Sequence, residues 1–355
     1  VRLYNERGMK ESDTQGMTTA RFIDERLSLI YKNLMGSEAE IEAYKKAHSL
    51  VDPYTQVKSS IIKGETSESA IIALETQYRI ASMIKGFITD PANKHSLIPF
   101  ESDSLSAKMV RSYNALITQR QHLETSAKAD NPALVQLDQQ LNAMRENMLG
   151  SVNNALGAMR IKIDKAKDVQ GESKGDMSQF ASTERETRTL YRNQAIQNEL
   201  YIFLLQKREE NALKMAEQYS KKMHMSKQGI YDQLTSDYGN QFSEDAAQYA
   251  IDNAYNDYNA NALAKAKDYG DSMHMSKQGI YDQLTSDYGE KFTADEAQYA
   301  VDNAKIDYNA NALAKAKEYQ SSMHMSVSEI YDQLTSDYGE KFTADEAQYA
   351  VDNLK

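Results

Sequence analysis

Apolar residues recur every three or four positions along most of the chain, which is the period of an amphipathic α-helix. Breaks that contain Pro or Gly, or are simply polar, separate the periodic stretches from one another. Five long helices are therefore predicted before the last third of the chain: about Met17–Ala47, Tyr54–Thr89, Leu105–Lys128, Ala133–Asp168 and Ser182–Ser220. The helices on either side of Asp130 and the return helix after Gly175 predict an elongated antiparallel coiled-coil hairpin.

Two short segments of this part have their own pattern. Residues 1–16 are polar and lack a period, which predicts a flexible arm. Tyr201–Leu205 is the longest strongly apolar run, far below the roughly 20 residues that span a bilayer. Leu200–Leu205 is interpreted as a surface that packs against a partner helix, in preference to a membrane-facing patch.

A segment of the C-terminal part repeats with a period of 50 residues. Met273–Asn303 recurs as Met323–Asn353 with substitutions only at residues 277–279, and a more divergent copy begins at Met223. Self-similarity at a fixed period is typical of stacked helical units, in which each unit buries its core against its neighbours. The repeat therefore predicts a tandem array in place of a single globular core.

Capping residues predict where the first helix of each repeat begins and ends. Ser226 is expected to cap it, with Ile230, Leu234 and Tyr238 one turn apart on one face. Gly239 lies where a left-handed residue commonly ends a helix.

Two further helices are predicted in each repeat. The second should begin at Ser243, a place that the capping boxes Thr293–Glu296 and Thr343–Glu346 occupy in the later copies. The third is rich in Ala and Lys, covers Asn261–Tyr269 or Asn311–Tyr319, and should lead into the next copy. On this division the last copy ends before its third helix.

Composition agrees with long helices that expose much polar surface. The 355 residues include 41% hydrophobic residues, four Pro and 15 Gly, and the mean hydropathy is −0.69. Gln218–Lys355 contains 12 Lys and 23 Asp or Glu, so the whole net charge of −11 belongs to the repeats. An acidic segment without Arg is a poor ligand for phosphates, and the second repeat helix carries Asp295 and Glu296, so no nucleic-acid partner is expected.

Catalytic and cofactor motifs are not found in the sequence. The absence of Cys excludes disulfides and thiolate metal sites, and no GxxxxGK[ST] phosphate loop occurs. The scattered His48, His95 and His122 have no evident Asp or Ser partner. The sequence therefore predicts a protein that is not an enzyme and that binds no cofactor.

Two patterns could be taken for metal sites. Met223-His224-Met225 recurs in each copy, but its 50-residue spacing favours a linker whose Met side chains fill gaps between helices. Asp252–Asn259 has the composition of a calcium loop without its Gly and terminal Glu, which favours a helix cap or a solvated face. Neither pattern is assigned a metal.

Tyr is the residue type in the repeats that could carry a function. Three positions recur in every copy and are candidates for an adhesive protein-binding surface, because Tyr suits interfaces. Their helical spacing fits the small core of each unit equally, and the core is the favoured interpretation. The nine candidates are Tyr231, Tyr238, Tyr249, Tyr281, Tyr288, Tyr299, Tyr331, Tyr338 and Tyr349.

The first part resembles the extracytoplasmic region of Wzz/Wzc-type polysaccharide co-polymerases of the tyrosine-autokinase branch. The matching motifs occur in order over about Phe22–Ala216: Leu97-Ile98-Pro99, Tyr113–Leu116, Asn131–Leu137, and Leu200-Tyr201 with Phe203–Glu210. The resemblance implies an extracytoplasmic coiled coil that controls the export or chain length of a surface polysaccharide. The family's membrane helices and kinase have no counterpart in this sequence, so ATP binding and phosphorylation are not expected.

The repeats resemble the Ltp-type, host cell surface-exposed lipoproteins of Gram-positive bacteria and their phages. The match rests on Met225-Ser226, Ile230–Ser236, Tyr238-Gly239 and Ala247–Ala250, and it covers about Asn211–Lys355. The resemblance implies helix-turn-helix-like units on a cell envelope, some of which exclude superinfecting phage by blocking DNA entry. The lipidated Cys of that family has no counterpart here.

The sequence as a whole predicts an all-α protein in five segments. They are a flexible arm (1–16), a co-polymerase-like helical region (17–217), two repeats (218–270 and 271–320) and a truncated third repeat (321–355). The expected function is a non-enzymatic, extracytoplasmic assembly element of polysaccharide export that carries surface-display repeats and self-associates through its coiled coil. The alternatives are a phage- or envelope-protein-binding module on a coiled-coil stalk, and a chimera without selected function.

The origin of the chain bears on these alternatives. The two resemblances belong to different envelopes, which favours a chimera, and the start at Val favours a piece of a longer or processed protein. No signal peptide or anchor is recognised, so the cell-envelope location is implied by the resemblances alone.

Overall fold

A computed structural model describes residues 2–47, 65–124, 131–172 and 180–354 of the chain, and the side chains of 17–47, 68–124, 131–168 and 185–354. Within these ranges the protein is all-α, with thirteen α-helices, a short 3-10 turn at Pro91–Asn93, and a lone bridge between Ser102 and Leu105. The predicted fold class is confirmed. Contacts divide the chain into Val1–Asn211, here called the N-terminal bundle, and Ala212–Lys355, here called the repeat array.

The helices of the first part are longer than those of the second. Five begin in the bundle: α1 Arg2–Ala47, α2 Glu65–Thr89, α3 Ala107–Glu124, α4 Pro132–Glu172 and α5 Phe180–Met223. The array continues with α6 Lys227–Thr235, α7 Glu244–Asn253, α8 Tyr258–Met273, α9 Lys277–Thr285, α10 Ala294–Asn303, α11 Tyr308–Met323, α12 Val327–Thr335 and α13 Ala344–Asp352.

The contacts of α5 give the directions of two neighbouring helices in the bundle. Tyr31 of α1 packs on Tyr201 with ring centroids 6.1 Å apart, and Asp24 lies 3.7 Å from Arg208, so α1 and α5 are antiparallel. On α2, Glu68 is paired with Arg192, and the Thr76 hydroxyl donates to Glu199 at 2.8 Å. Because both residue numbers increase together, α2 and α5 are parallel.

Arg145 on α4 joins the end of α2 to α3. Its guanidinium donates to the carbonyls of Ile88 and Asn93, the second at 2.9 Å, and to the Tyr113 hydroxyl at 3.1 Å. The last carbonyls of a helix have no partner within it, so the buried Arg satisfies groups that burial would otherwise leave unpaired. These contacts place α4 against both α2 and α3.

One hydrophobic core lies between all five helices of the bundle. Residues such as Ile23, Ile84, Ile117, Met148 and Leu204, one from each helix, are fully buried in it. The predicted coiled-coil hairpin is therefore replaced by a five-helix bundle. The physical reason is the width of the apolar face: each helix buries a stripe against several neighbours, whereas a coiled coil buries a narrow one against a single partner.

Two local predictions for the bundle can be compared with the structure. Residues 2–16, predicted as a flexible arm, form the first turns of α1, because a stretch without Pro can be helical without an apolar stripe. Leu200 and Leu204 are buried in the core, and Phe203 packs edge-on against Phe100, so this run contacts neighbouring helices as predicted. The predicted breaks at 49–53 and near 169–179 lie wholly or largely outside the described residues.

The array consists of three units of three helices each. Unit 2 is formed by α8, α9 and α10, and its core contains Ala262, Ile280, Phe292 and Ala297. Unit 3 is formed in the same way by α11, α12 and α13. The end of α5, with α6 and α7, supplies the equivalent buried positions of unit 1, among them Ala212. Each long helix thus shares a core with the two short helices that follow it.

The phase of these units differs from the one predicted from the repeat. The sequence places boundaries at 270/271 and 320/321 and leaves the third copy truncated, whereas packing groups α8 and α11 with the copies after them. A repeat period fixes the length of a unit and not its first residue, so the phase depends on which helices share a core.

Helix starts in the array agree with the predicted capping residues. The hydroxyls of Ser226 and Ser243 accept a hydrogen bond from the third helical N–H, and both capping boxes, Thr293–Glu296 and Thr343–Glu346, are formed. The long helices begin at Asp257 and Asp307, whose carboxylates cap α8 and α11. Asp257 lies in the calcium-like stretch, where the helix-cap interpretation is therefore confirmed.

The predicted left-handed conformation of Gly239 is wrong. No described Gly has a positive φ, and α6 ends at Ser236 in an extended conformation. A Cβ atom on Gly239 would lie 2.0 Å from the backbone oxygen of Gln233, so Gly is required by this close approach. The left-handed residue of this turn is Gln241, with φ 58°.

Candidate functional site

The turn after the second helix of each unit (α6, α9 or α12) displays a Tyr side chain that is fully open to solvent. Tyr238, Tyr288 and Tyr338 are each 97% exposed or more. A large aromatic ring that packs against nothing gains none of the free energy of burial, so core packing does not explain its presence in all three units. The residue before each of these Tyr is an exposed Asp: Asp237, Asp287 and Asp337. The site in each unit is therefore a Tyr next to a carboxylate.

Backbone hydrogen bonds hold this turn in one conformation. In unit 1 the Tyr238 N–H donates to the Ser236 hydroxyl at 3.1 Å, and the Asn240 N–H donates to the Gln233 carbonyl at 3.1 Å. The Phe242 N–H donates to the Leu234 carbonyl at 2.9 Å, which returns the chain to the core. The same bonds recur in units 2 and 3. The Tyr ring is thus carried on an ordered backbone.

The Tyr residues of the third helix of each unit (α7, α10 or α13) are half exposed. Tyr249, Tyr299 and Tyr349 expose 39%, 44% and 43% of their surface. The core beside them is made of Ala residues, such as Ala250, which lies one residue further along α7 and is fully buried. The preference for a core role is therefore wrong for these residues and for Tyr238 and its equivalents, because the core is filled by Ala, Ile, Leu and Phe.

The third set of candidates is intermediate. Tyr281 and Tyr331 are partly buried and pack against the cores of units 2 and 3, and Tyr231 is partly buried in unit 1. Their carbonyls accept hydrogen bonds from the hydroxyls of Thr235, Thr285 and Thr335 one turn later. These three Tyr fit a structural role better than the two exposed sets.

A further Tyr position, which the sequence did not single out, has a defined structural role. The hydroxyls of Tyr269 and Tyr319 donate to the carboxylates of Glu290 and Glu340 at 2.5 Å, and Tyr219 donates to the Asn240 side chain at 2.6 Å. Burial and the Glu340 carboxylate raise the pKa of Tyr319 to about 12, so its phenol remains the donor. This bond ties the long helix of a unit to its Tyr-bearing turn.

The Met-His-Met segments end the long helices. His274 and His324 are left-handed residues with φ near 52–56°, and each is the C-cap of its helix. Met275 and Met325 pack against the cores of units 2 and 3, as predicted for gap-filling residues, whereas Met273 and Met323 are exposed. Among the described residues, no three His, Cys, Asp or Glu side chains lie close enough together to hold a metal ion.

One His of the bundle does lie near a carboxylate. His95 Nε2 is 3.3 Å from Asp138, which also accepts a hydrogen bond from Arg120 at 2.6 Å. Burial and the charge of Arg120 lower the pKa of His95, so this ring is neutral near pH 7. The sequence could not show this proximity, because the segment before α3, α3 itself and α4 each supply one of the three residues.

Comparison with known proteins identifies the repeats. A tandem array of three-helix units is the class of protein that this part defines, and host cell surface-exposed lipoproteins of the Ltp family match residues 207–254, 257–304 and 307–354. Ltp, a superinfection exclusion protein from the Streptococcus thermophilus temperate phage TP-J34, is 48% identical in a solved structure. That alignment covers 27% of this chain and 95% of Ltp, with a TM-score of 0.25.

Through its repeats, the chain belongs to the family of host cell surface-exposed lipoproteins. The three matched stretches have the phase of the packed units, with each long helix first. No curated protein matches the chain. The resemblance of Phe22–Ala216 to polysaccharide co-polymerases remains a prediction from sequence motifs.

Proposed function

We propose that the repeat array is a non-enzymatic protein-binding module that acts outside the cytoplasm in superinfection exclusion. The observation that carries the proposal is the 48% identity to the phage protein Ltp over 95% of its solved chain. Within the described residues, no helix is long and apolar enough to cross a membrane.

The exposed Tyr residues give the proposal a candidate contact surface. Tyr238, Tyr288 and Tyr338 stand on ordered turns, so little conformational entropy would be lost when a partner covers them. Tyr is enriched at interfaces, where its ring supplies apolar area and its hydroxyl a hydrogen bond. The expected partner is a phage or envelope protein that contacts several units at once, since the same residue recurs in each.

The polysaccharide hypothesis for the N-terminal bundle rests on the motif resemblance alone. The helices of the bundle form a packed core in place of the coiled coil that the resemblance implies. The bundle is therefore proposed as a support for the array, and the array as the part that binds.

Superinfection exclusion can be tested on living cells. The full chain, fused behind a lipoprotein signal sequence, would be displayed on Streptococcus thermophilus and challenged with phage that the Ltp protein excludes. We expect plaque counts to fall while phage adsorption stays unchanged, because exclusion acts after attachment. Unchanged plaque counts with verified surface display would contradict the proposal.

Variants of the Tyr surface test where the partner binds. Replacing Tyr238, Tyr288 and Tyr338 together by Ala should restore plaque counts without changing helix content, because these rings pack against nothing. Tyr255→Ala is the matched control, since Tyr255 is 96% exposed but occurs in unit 1 alone. Equal effects of the two changes would exclude a specific role of the repeated Tyr.

Deletion of residues 1–206 separates the binding and assembly hypotheses. A supporting bundle predicts that the displayed array alone still lowers plaque counts. An assembly element of polysaccharide export predicts instead that the full chain self-associates and that the deletion abolishes this, which analytical ultracentrifugation would detect.

A further inference from the structure

The units of the array dock onto one another through a one-way contact. A Ser at the N-cap of the second helix of a unit (α6 or α9) donates its hydroxyl proton to a backbone carbonyl of the following unit: Ser226 to Glu290 and Ser276 to Glu340, both at 2.5 Å. The same two Ser residues are almost completely buried, at 1% exposed. Each hydroxyl also accepts the N–H of Gly229 or Gly279 at 3.0 Å, so the cap and the contact share one group.

An ion pair from further along the same helix completes this contact. Lys291 of unit 2 pairs with Asp232 of unit 1, and Lys341 of unit 3 pairs with Asp282 of unit 2. The second carboxylate oxygen of Asp282 accepts a hydrogen bond from Gln278 at 2.7 Å, which holds the carboxylate in place. The earlier unit thus supplies Ser, Gly, Gln and Asp, here called its donor face. The following unit supplies a backbone carbonyl and a Lys, here called its receiving face.

Gly at the third helical position leaves room for the receiving unit. A Cβ atom on Gly279 would lie 3.1 Å from the Ser276 hydroxyl and 3.7 Å from the Glu340 carbonyl. A longer side chain at this position would occupy the space between the hydroxyl and that carbonyl. Gly229 has the same surroundings in unit 1.

Unit 3 differs from unit 2 at this donor face. Over Met323–Asn353 the substitutions relative to unit 2 are Lys277 to Val327, Gln278 to Ser328 and Gly279 to Glu329. Ser326 now donates its hydroxyl to the Glu329 carboxylate at 2.7 Å, inside its own helix, and a capping box forms. The hydroxyl that reaches the next unit in units 1 and 2 is therefore satisfied internally in unit 3.

Unit 1 differs from the others at the opposite, receiving face. Where units 2 and 3 have Lys291 and Lys341, unit 1 has Gln241, whose amide donates to the Asp237 carbonyl at 2.7 Å within the same turn. Unit 1 keeps the complete donor face, unit 3 keeps the complete receiving face, and unit 2 has both. Unit 1 therefore lacks part of the receiving face, and unit 3 lacks part of the donor face.

From this pattern we infer that the third helical position of a unit decides whether a further repeat can dock. With Gly at this position, the N-cap Ser hydroxyl donates to a carbonyl of the following unit. With Glu, the hydroxyl donates to the Glu carboxylate of its own helix, and the donor face no longer binds a further unit. The partner that fits the Gly-type face is a unit of the same kind that bears the carbonyl and the Lys. Copies of this chain should therefore not stack end to end through their repeats.

The inference is tested in the full chain by Gly279→Glu, with Gly279→Ala as the matched control. The Glu variant should speed amide exchange in unit 3 by at least about tenfold, because its docking onto unit 2 is lost. The Ala variant adds a Cβ without a carboxylate and should change exchange much less. Exchange in unit 3 that stays unchanged in the Glu variant, or that rises equally in both, would overturn the inference.

A second measurement keeps the test decisive if Gly279→Glu prevents folding. A fourth unit, a copy of residues 306–355, would be joined after Lys355 of the full chain, with either the native Val327-Ser328-Glu329 or the triple change V327K, S328Q and E329G in unit 3. We expect the added unit to be protected from exchange only in the triple variant. Equal protection of the added unit from exchange when residues 327–329 are native would show that Glu329 does not prevent docking.

Discussion

Gly289 shows how strongly one residue can depend on the backbone around it. A Cβ at this position would lie 2.2 Å from the Gln283 carbonyl oxygen, although the φ angle of Gly289 is not positive. The obstacle is backbone and not a flexible side chain, so the turn that carries Tyr288 would have to shift. The equivalent glycines of units 1 and 3 have the same surroundings.

Gly289→Ala should therefore destabilise unit 2 by at least about 2 kcal/mol, in the range of overpacking a tight site. Gly36→Ala is the control, because Gly36 lies in α1 with nothing within 4 Å of its Cβ position. That change should stabilise by about 0.5–1 kcal/mol through helix propensity. Urea unfolding of both variants measures the difference, and a neutral effect at position 289 would contradict the close approach.

Single residues were predictable from the sequence where the cause is local. Ser226 and Thr343 were identified as helix caps because a cap involves residues three positions apart. The role of Gly239 was misjudged because its neighbour, the Gln233 carbonyl, meets it only after α6 has ended. The exposed state of Tyr238 was missed for a related reason: its place on the helical period suggested a buried face, but the helix stops at Thr235.

At the scale of helices, α12 differs from its counterparts α6 and α9 in the way it begins. Glu329 accepts hydrogen bonds from the backbone N–H and the hydroxyl of Ser326, at 2.8 and 2.7 Å. These bonds favour the ionised carboxylate and lower its pKa below the ordinary value of 4.5. Helices α6 and α9 have Gly at this place and lack a titrating group in their caps.

The start of α12 should therefore be pH-dependent in acid. A carboxyl whose pKa is lower in the folded state contributes its stabilisation fully above its unfolded pKa and loses it as the pH falls through the folded one. Amide exchange at α12 should accelerate below about pH 4.5 relative to α9. Glu329→Gln should remove this difference; if it persists in the variant, the carboxylate is not its source.

The helices themselves were largely predictable because each carries its own apolar period. All five long helices of the first part are predicted by the sequence, although α1 begins at Arg2, well before the predicted start at Met17. Their arrangement was not, since a period of 3.6 shows which face is buried and not how many neighbours cover it. The partners of α5, for example, include α1 and α2, which are far away in sequence.

At the scale of the whole molecule, the stability of each unit of the array should depend on the units beside it. In a linear array each unit contacts only the units beside it. The free energy that stabilises a unit is therefore the sum of its intrinsic folding free energy and the free energies of its interfaces. Unit 2 is docked on both sides, through Ser226 to Glu290 and through Ser276 to Glu340. Units 1 and 3 each have one such contact.

Removal of residues 305–355 should therefore raise the amide exchange rates of unit 2 and leave those of unit 1 nearly unchanged. The buried Ser276 would be exposed, while the contact of Ser226 would remain. Hydrogen exchange with peptide resolution measures both units and the N-terminal bundle in one sample. A uniform acceleration over the whole array would show instead that its units unfold together.

The identity of units 1 and 2 over residues 226–239 and 276–289 also has a genetic consequence. Recombination between such copies would remove or insert one period of 50 residues, in frame, with a donor face still meeting a receiving face at each new junction. The last unit would keep Glu329 after every such event. The number of units in the array could then change by one at a time during evolution, without redesign of the docking contact.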